Sequence, residues 1–491
     1  MITASNYINH LRTEGDIFRN TQKIMEECEK INSEYKYFNC ISKDMALEQA
    51  EELAEYQNPR KRKSSLKNKE SDASRTEKKL FGLSVSVKDC LCVKGIESRA
   101  GSKILSGYKP LFNATAVERL IDAGAVVIGK TSQDEFGFGS FNINMGKGFE
   151  VPLNPLDIRR VCGGSSGGGA GITRKLSYPH LAVVESTGGS ISCPAAFCGV
   201  AGITPTYGQV SRYGIIDYAS SLDKIGLMSK EVSTLATGLG VIAGRDEKDS
   251  TSSEREVDDY ESYIKKDVKK LKIGIISDTI GEGSAEYVRE AIANAVSKLE
   301  SFGVQSQKIS LPMTSKYGLP TYYIISTAEA STNLAKYCGL RYGAQTQIMP
   351  QQNYNEYFTK VRTDNLGREA KRRIILGTYV RMAGYRDHYY LHAMKVRTKI
   401  IEEYKRQFKH FDLLLSPTMP LIAPKMKEAE ELTPIQNYMM DIMTVGPNLA
   451  GLPHMSVTAG YEKGMPIGMQ LIGNHFDEKK VLQAGNVVHN P

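Results

Sequence analysis

Two serines set in glycine, with a lysine upstream, are the residues of this chain best placed to do chemistry. The segment 163–207 opens with GGSSGGGAG and, after a short unlike stretch, continues as STGGSISCPAAFCGVAGITPTYG. Ser165 and Ser190 therefore each sit among glycines, and Lys88 stands alone in the strand-like run FGLSVSVKD. Glycine lets a backbone approach a substrate closely or adopt φ > 0. Two such loops around hydroxyl nucleophiles suggest backbone N–H groups aimed at an oxyanion. That chemistry is acyl transfer.

Four readings compete for these loops. A Gly/Ser tract can be a flexible linker, but its flank at 181–184 (LAVV) is apolar and strand-like. A phosphate-binding loop requires a Lys-Ser/Thr pair closing the glycine run, and none is present. Gly163-Gly164-Ser165-Ser166-Gly167 fits the G-x-S-x-G nucleophile elbow. That fold also needs an acid and then a histidine, for which His388, His392, His410, His454, His475 and His489 offer no glycine-rich setting. The fourth reading is a Ser-Ser-Lys site. There the lysine must be neutral to act as a base, which burial on a strand favours; a lysine at a strand end can equally snorkel to solvent.

GGSSGGG followed by TGGSISCPAAFCGVAGITPTYG resembles the signature of the amidase signature family. The resemblance implies Ser190 as nucleophile, Ser165 as a bridging serine after a cis peptide bond, and Lys88 as the base acting through Ser165. It also implies an oxyanion hole from the backbone N–H groups of Thr187, Gly188, Gly189 and Ser190. The usual family pattern is D-T-G-G-S-I-R, whereas this chain has Ser186 and Ser192 in place of the aspartate and the arginine. Losing both partners of an ion pair is tolerated better than losing one, so the expectation is a supporting pair removed together. The longer stretch between the two serine loops leaves Ser165 and Ser166 both open for the bridging role.

Later blocks narrow the resemblance. FGFGSFNINMGKG (136–148), TYYIISTAEASTNLAKYCGLRYG (321–343), KRRIILGTYVRMAGYRDHYY (371–390) and DIMTVGPNLAGLPHMSV (441–457) are similar to the branch serving tRNA-dependent amidotransferases. The implied reaction is glutamine hydrolysis, with ammonia passed to a partner that amidates Glu-tRNA(Gln), and in some relatives Asp-tRNA(Asn). The implied partners are amidotransferase subunits B and C or their equivalents. No cofactor is implied in this chain; ATP and Mg are used by the partner subunit. Free glutamine needs one fixed cation and one fixed anion. The resemblance places these at Arg373, with Arg372 as fallback, and at Asp441; a guanidinium fork suits a carboxylate. A free-standing amidase for a small amide, and a non-catalytic scaffold, remain the alternatives.

These residues need a scaffold, and the chain is long enough to provide one. It has 491 residues, 41% of them hydrophobic and 24% charged, as in an ordinary globular protein. No run of about 18 apolar residues suggests a membrane span, and the N-terminus lacks a signal pattern. Eight cysteines without C-x-x-C spacing point to buried thiols in a reducing, cytoplasmic setting. His388 and His392 could face one metal, but no third ligand accompanies them, so no metal is expected. Net charge is +8, which permits an acidic partner without requiring one.

Residues 5–56 read as helical from their apolar spacing. The lysine-rich 58–79 stretch reads as a solvated insertion that could also touch tRNA phosphate. From residue 80 onward strands and helices alternate: 115–124 helix, 125–131 strand, 270–278 strand, 284–303 helix, 411–418 strand. This predicts an α/β/α sandwich, a mixed sheet covered by helices on both faces. The family implies the same fold, with a mainly helical stretch over about 310–405 capping the glutamine pocket.

Overall fold

The computed structural model describes residues 3–57, 78–281, 283–347 and 353–489. Apart from its last two residues, the basic 58–79 insertion lies outside them. Residues 5–56 contain the helices Ala4–Thr13, Ile17–Tyr35 and Lys43–Gln57, with a strand, β1 (Phe38–Ile41), between the last two. The helical spacing hides this strand because four residues are too few to establish a competing period.

The remaining strands are β2 (Ser84–Lys88), β3 (Val126–Thr131), β4 (His180–Ser186), β5 (Ala201–Thr204), β6 (Lys224–Ser229), β7 (Lys272–Ile276), β8 (Gln305–Ile309), β9 (Leu413–Pro417), β10 (His454–Glu462) and β11 (Met465–Gly473). Together they form one 11-stranded sheet in the order β1-β3-β2-β4-β6-β5-β10-β11-β9-β7-β8. β2 runs parallel to both β3 and β4, and β7 runs parallel to both β8 and β9. β4–β6, β5–β6, β5–β10 and β10–β11 are antiparallel. Helices flank this mixed sheet, as expected.

β2, β3 and β4 are buried along their whole length. A parallel strand covered on both faces needs a continuous apolar run, and VVIGKT and HLAVVES are of that kind. Fully burying a valine such as Val85 or Val183 contributes about 1.5–3 kcal/mol, so the centre of the sheet is strongly held. Val87 pairs with Val183, which brings the carboxyl ends of β2 and β4 to the same edge. Ligand sites form at such edges.

The glycines of GGSSGGGAG belong to an ordered element, not a linker. Helix Gly167–Lys175 packs against β4, and a Cβ at Gly171 would lie 2.1 Å from the Tyr37 ring. Between β8 and β9 the chain forms the helices Pro312–Asn333, Tyr354–Asn365, Arg368–Arg381 and His392–Gln407. Arg368–Arg381 packs directly on Pro312–Asn333; a Cβ at Gly377 would fall 1.8 Å from the Thr327 carbonyl oxygen.

Candidate active site

Lys88 is the last residue of β2 and has no exposed surface. Its Nζ donates to Ser165 Oγ at 2.8 Å, to the Glu185 carbonyl at 2.9 Å and to Glu185 Oε2 at 2.9 Å. The Ser-Ser-Lys reading of the sequence asked for a lysine that is desolvated or set near donors disfavouring its charge. Instead its burial comes with a counterion, the buried carboxylate of Glu185. The usual family acid is absent at Ser186, but Glu185, one residue earlier, reaches the base directly.

The peptide bond between Gly164 and Ser165 is cis. Its loop is held from several sides: Gly164 N–H donates to Ser140 O at 2.8 Å, Asp134 N–H to Ser165 O at 3.3 Å, and Gly167 N–H to Asn142 Oδ1 at 2.8 Å. Asp134 is itself fixed by the N–H groups of Asn142 and Asn144, and burial pushes its carboxyl up to about 6. Ser166 Oγ donates at 3.3 Å to the Glu185 carbonyl, an oxygen that also accepts from Lys88, whereas Ser165 Oγ accepts from Lys88 directly. Of the two serines left open by the sequence, Ser165 is therefore the one beside Lys88.

Ser190 lies in the loop that joins β4 to helix Ser192–Cys198 and is buried, at 7% exposure. Thr187, Gly188 and Gly189 precede it in that loop. Glycine at 189 is required by crowding, since a Cβ there would sit 2.5 Å from Thr444 Oγ1. Thr187 Oγ1 is 2.8 Å from both Glu185 Oε1 and Asp223 Oδ1. The single hydroxyl proton can serve only one of them at a time. Burial, and then the Glu185 charge, pushes Asp223 well above the usual carboxylate range.

The predicted substrate-binding pair also converges. Arg373, on helix Arg368–Arg381, is buried; its Nε donates to Glu369 Oε1 at 2.9 Å and its Nη1 to Tyr218 Oη at 2.6 Å. Phe138, Tyr323, Tyr438 and Tyr218 surround its guanidinium with ring centroids 5.1–5.8 Å away. Arg372 pairs with Glu369 from the outer side and is more exposed, so Arg373 is the interior cation. Asp441 accepts from Ser140 Oγ at 2.8 Å and from Tyr323 Oη at 2.6 Å. Burial raises its pKa, against the lowering effect of those two hydroxyls and of Arg373. Tyr323 thus links anion and cation, with its hydroxyl on Asp441 and its ring against Arg373. A cavity of about 300 Å³ reaches Arg373, Glu369 and Tyr438.

Sequence reasoning missed Glu185, Glu369 and the aromatic cage. Glu369 had a local signal, being four residues before Arg373 on one helix face. Glu185 and the tyrosines had none, because strand adjacency and helix docking bring them in. Of the histidines of the elbow reading, His454 bonds Leu452 O and lies 3.5 Å from Asn448 Nδ2, while His388 and His392 lie exposed.

Lys88 at the end of β2 against Ser165, with the glycine-flanked Ser190 just past the end of β4 at the same sheet edge, is an arrangement suited to amide chemistry. The chain belongs to the amidase signature family: the Amidase family model matches residues 19–482. The A subunit of the glutamyl-tRNA(Gln) amidotransferase of Methanococcoides burtonii is 45% identical over 405 residues, 82% of this chain and 83% of that one. The protein of the same name from Thermoanaerobacter pseudethanolicus is 41% identical over 462 residues, covering 94% and 90%. The crystal structure of the A subunit of the Thermotoga maritima glutamyl-tRNA(Gln) amidotransferase superposes with a TM-score of 0.78 at 32% identity, covering 98% of this chain and 96% of that one.

Proposed function

We propose that this chain is the glutaminase subunit of a tRNA-dependent amidotransferase, hydrolysing glutamine and passing ammonia to a partner. The observation carrying this reading is the Lys88–Ser165 contact at 2.8 Å in the same molecule as a buried Arg373–Asp441 pair. The first is apparatus for activating a hydroxyl; the second matches a free amino acid. The names of its relatives support the same conclusion.

In this reading Arg373 holds the glutamine α-carboxylate. Its Nε and Nη1 are engaged by Glu369 and Tyr218, which aims Nη2 and the second Nη1 proton at the ligand. Asp441, oriented by Ser140 and Tyr323, takes the α-ammonium. Ser190 Oγ attacks the side-chain carbonyl carbon while its proton moves to Ser165 and the Ser165 proton moves to Lys88 Nζ. Lys88 must start as the amine, and Glu185 Oε2 at 2.9 Å is the acceptor for its ammonium proton. The tetrahedral oxyanion rests on the amides of Thr187, Gly188, Gly189 and Ser190. Collapse breaks the C–N bond, Ser165 returns a proton to the leaving ammonia, and water then releases glutamate by the same route.

The partners in this reading are subunits B and C or their equivalents. The partner subunit carries the ATP- and Mg-dependent activation of Glu-tRNA(Gln). The test is covalent labelling of the co-expressed complex with an electrophilic glutamine analogue, located by peptide mass spectrometry. A label on Ser190 that excess glutamine blocks is the expected result. A label on Ser165 points instead to an elbow-type nucleophile, and none in an intact complex points to a scaffold. Ser190→Ala should abolish glutamine-driven tRNA amidation while amidation from added ammonia persists.

A further inference from the structure

The Gly188 carbonyl, in the loop before Ser190, accepts two hydrogen bonds from buried side chains. Ser186 Oγ donates to it at 2.9 Å, and Asn448 Nδ2 donates to it from helix Val445–Leu449. The 188–189 peptide is trans, since among the described residues the one cis bond is Gly164–Ser165. In a planar trans peptide the N–H points opposite to the C=O. Fixing the Gly188 oxygen from behind therefore fixes the direction of the Gly189 N–H.

The Asn448 amide is oriented in turn. Its Nδ2 lies 3.5 Å from His454 Nε2, and His454 Nδ1 lies 3.1 Å from Leu452 O. A carbonyl only accepts, so Nδ1 carries the ring proton and Nε2 offers a lone pair; the second Asn448 amide proton is shared between that nitrogen and the Thr444 carbonyl at 3.4 Å. Burial and the nearby Lys224 hold His454 well below the usual imidazole range, in keeping with that neutral tautomer. Lys224, which pairs with Ser186 across β4 and β6, donates to the same Leu452 carbonyl at 2.8 Å. Asn448 Oδ1 is buried without a hydrogen-bond partner. An unmet acceptor of that kind costs about 1–3 kcal/mol, so the orientation serves Nδ2 at the expense of Oδ1.

We propose that Ser186 and Asn448 are positioning residues of the oxyanion hole, clamping the Gly188–Gly189 peptide so that the Gly189 N–H faces the developing oxyanion, with the Thr444 carbonyl and neutral His454 setting the Asn448 amide. This rests on the hydrolase reading above. It also accounts for the departure from D-T-G-G-S-I-R. An ionised aspartate at 186 has no proton to donate and would repel the Gly188 oxygen, whereas serine adds a donor. On this account the replacement at 186 adds a hydrogen bond to the catalytic loop; nothing in the structure explains Ser192.

The test compares ground state with transition state in the intact complex. Losing an oxyanion donor outright costs about 10²–10³ in kcat; a loosened donor should cost less. Asn448→Ala should lower kcat about 30-fold and Ser186→Ala about fivefold, with the glutamine KM unchanged. The inhibition constant of the glutamine aldehyde, which forms a tetrahedral adduct on Ser190, should rise by the same factors. Ser186→Thr, which keeps the hydroxyl, should restore both. Unchanged aldehyde affinity, or KM and aldehyde affinity weakening together, overturns the clamp. Ser186→Ala is the mild variant should Asn448→Ala fail to fold. Sulfonylation of Ser190 by phenylmethylsulfonyl fluoride separates the two readings. If the wild-type complex is sulfonylated but leaves glutamine intact, the glutaminase reading falls and the clamp is judged by sulfonylation rates. Slowing in both variants supports it, and equal rates overturn it. A wild-type chain that is not sulfonylated overturns it as well.

Discussion

The two sides of this site each bury a cation against a carboxylate, yet in different surroundings. Lys88 meets Glu185 at 2.9 Å at the edge of the sheet, and all its acceptors are oxygens of Ser165 and Glu185. Arg373 meets Glu369 at 2.9 Å within helix Arg368–Arg381, with four aromatic rings around it. An ammonium is compact, needs direct hydrogen bonds and can surrender a proton; a guanidinium stacks on rings and keeps its charge. The same pairing thus gives a proton carrier on one side and a permanent anchor on the other.

The largest expected effect comes from placing the wrong cation on the sheet side. Lys88→Arg keeps the charge and removes the base, so glutamine hydrolysis should fall about 10³–10⁴-fold in steady-state assays. The reciprocal change, Arg373→Lys, keeps a charge but loses the fork and the stacking. It should raise the glutamine KM about 10–100-fold with little change in kcat. If Arg373→Lys lowered kcat and spared KM, the division of labour would be wrong.

Removing each counterion sharpens the contrast. Glu185→Gln cannot take a proton from Lys88 and should lower kcat about tenfold. Glu369→Gln frees the Arg373 guanidinium to move and should act on KM, by about fivefold, a loss near 1 kcal/mol. Initial-rate kinetics on both variants decide this, and equal kcat effects would erase the distinction.

How much of this was legible in the sequence follows the same division. The sheet side is written in contiguous stretches: SVSVKD, GGSSGGG and STGGS each encode a strand end or a loop with its own reactive residue. Strands at 126–131, 272–276 and 413–417 and helices at 115–122 and 286–301 fall within the segments their apolar patterns indicated. The arginine side is assembled from Phe138, Tyr218, Tyr323, Arg373, Tyr438 and Asp441, which come from distant segments. No local period encodes their meeting, so only the family resemblance pointed to Arg373 and Asp441. Glu185 fell between these cases. It sits in a readable strand, but its partner is set by the β2–β4 register, which a single sequence does not encode.

The smallest effect concerns the charge of Asp441. Burial raises its folded-state pKa above the unfolded value, so the fold prefers the protonated carboxyl. The unfolded chain releases this proton first as pH rises, so stability falls between the unfolded and folded pKa values, and the cost is fully present above the latter. Ligand binding has the opposite requirement, because only the carboxylate attracts an α-ammonium. The glutamine KM should therefore climb as pH drops through the raised pKa, and bound glutamine should pull that pKa back down. Asp441→Asn should abolish this acidic rise and leave KM uniformly higher, by about tenfold, the weight of one charge-assisted hydrogen bond. At neutral pH the same variant should melt no lower than the wild type, since an amide carries no buried charge: its oxygen keeps one of the two hydroxyl donors, and its NH2 donates to the other hydroxyl oxygen. The anion site would then cost the fold stability in exchange for a ligand contact, whereas the neighbouring arginine, with Glu369 and four rings about it, is stabilised whether or not glutamine is bound.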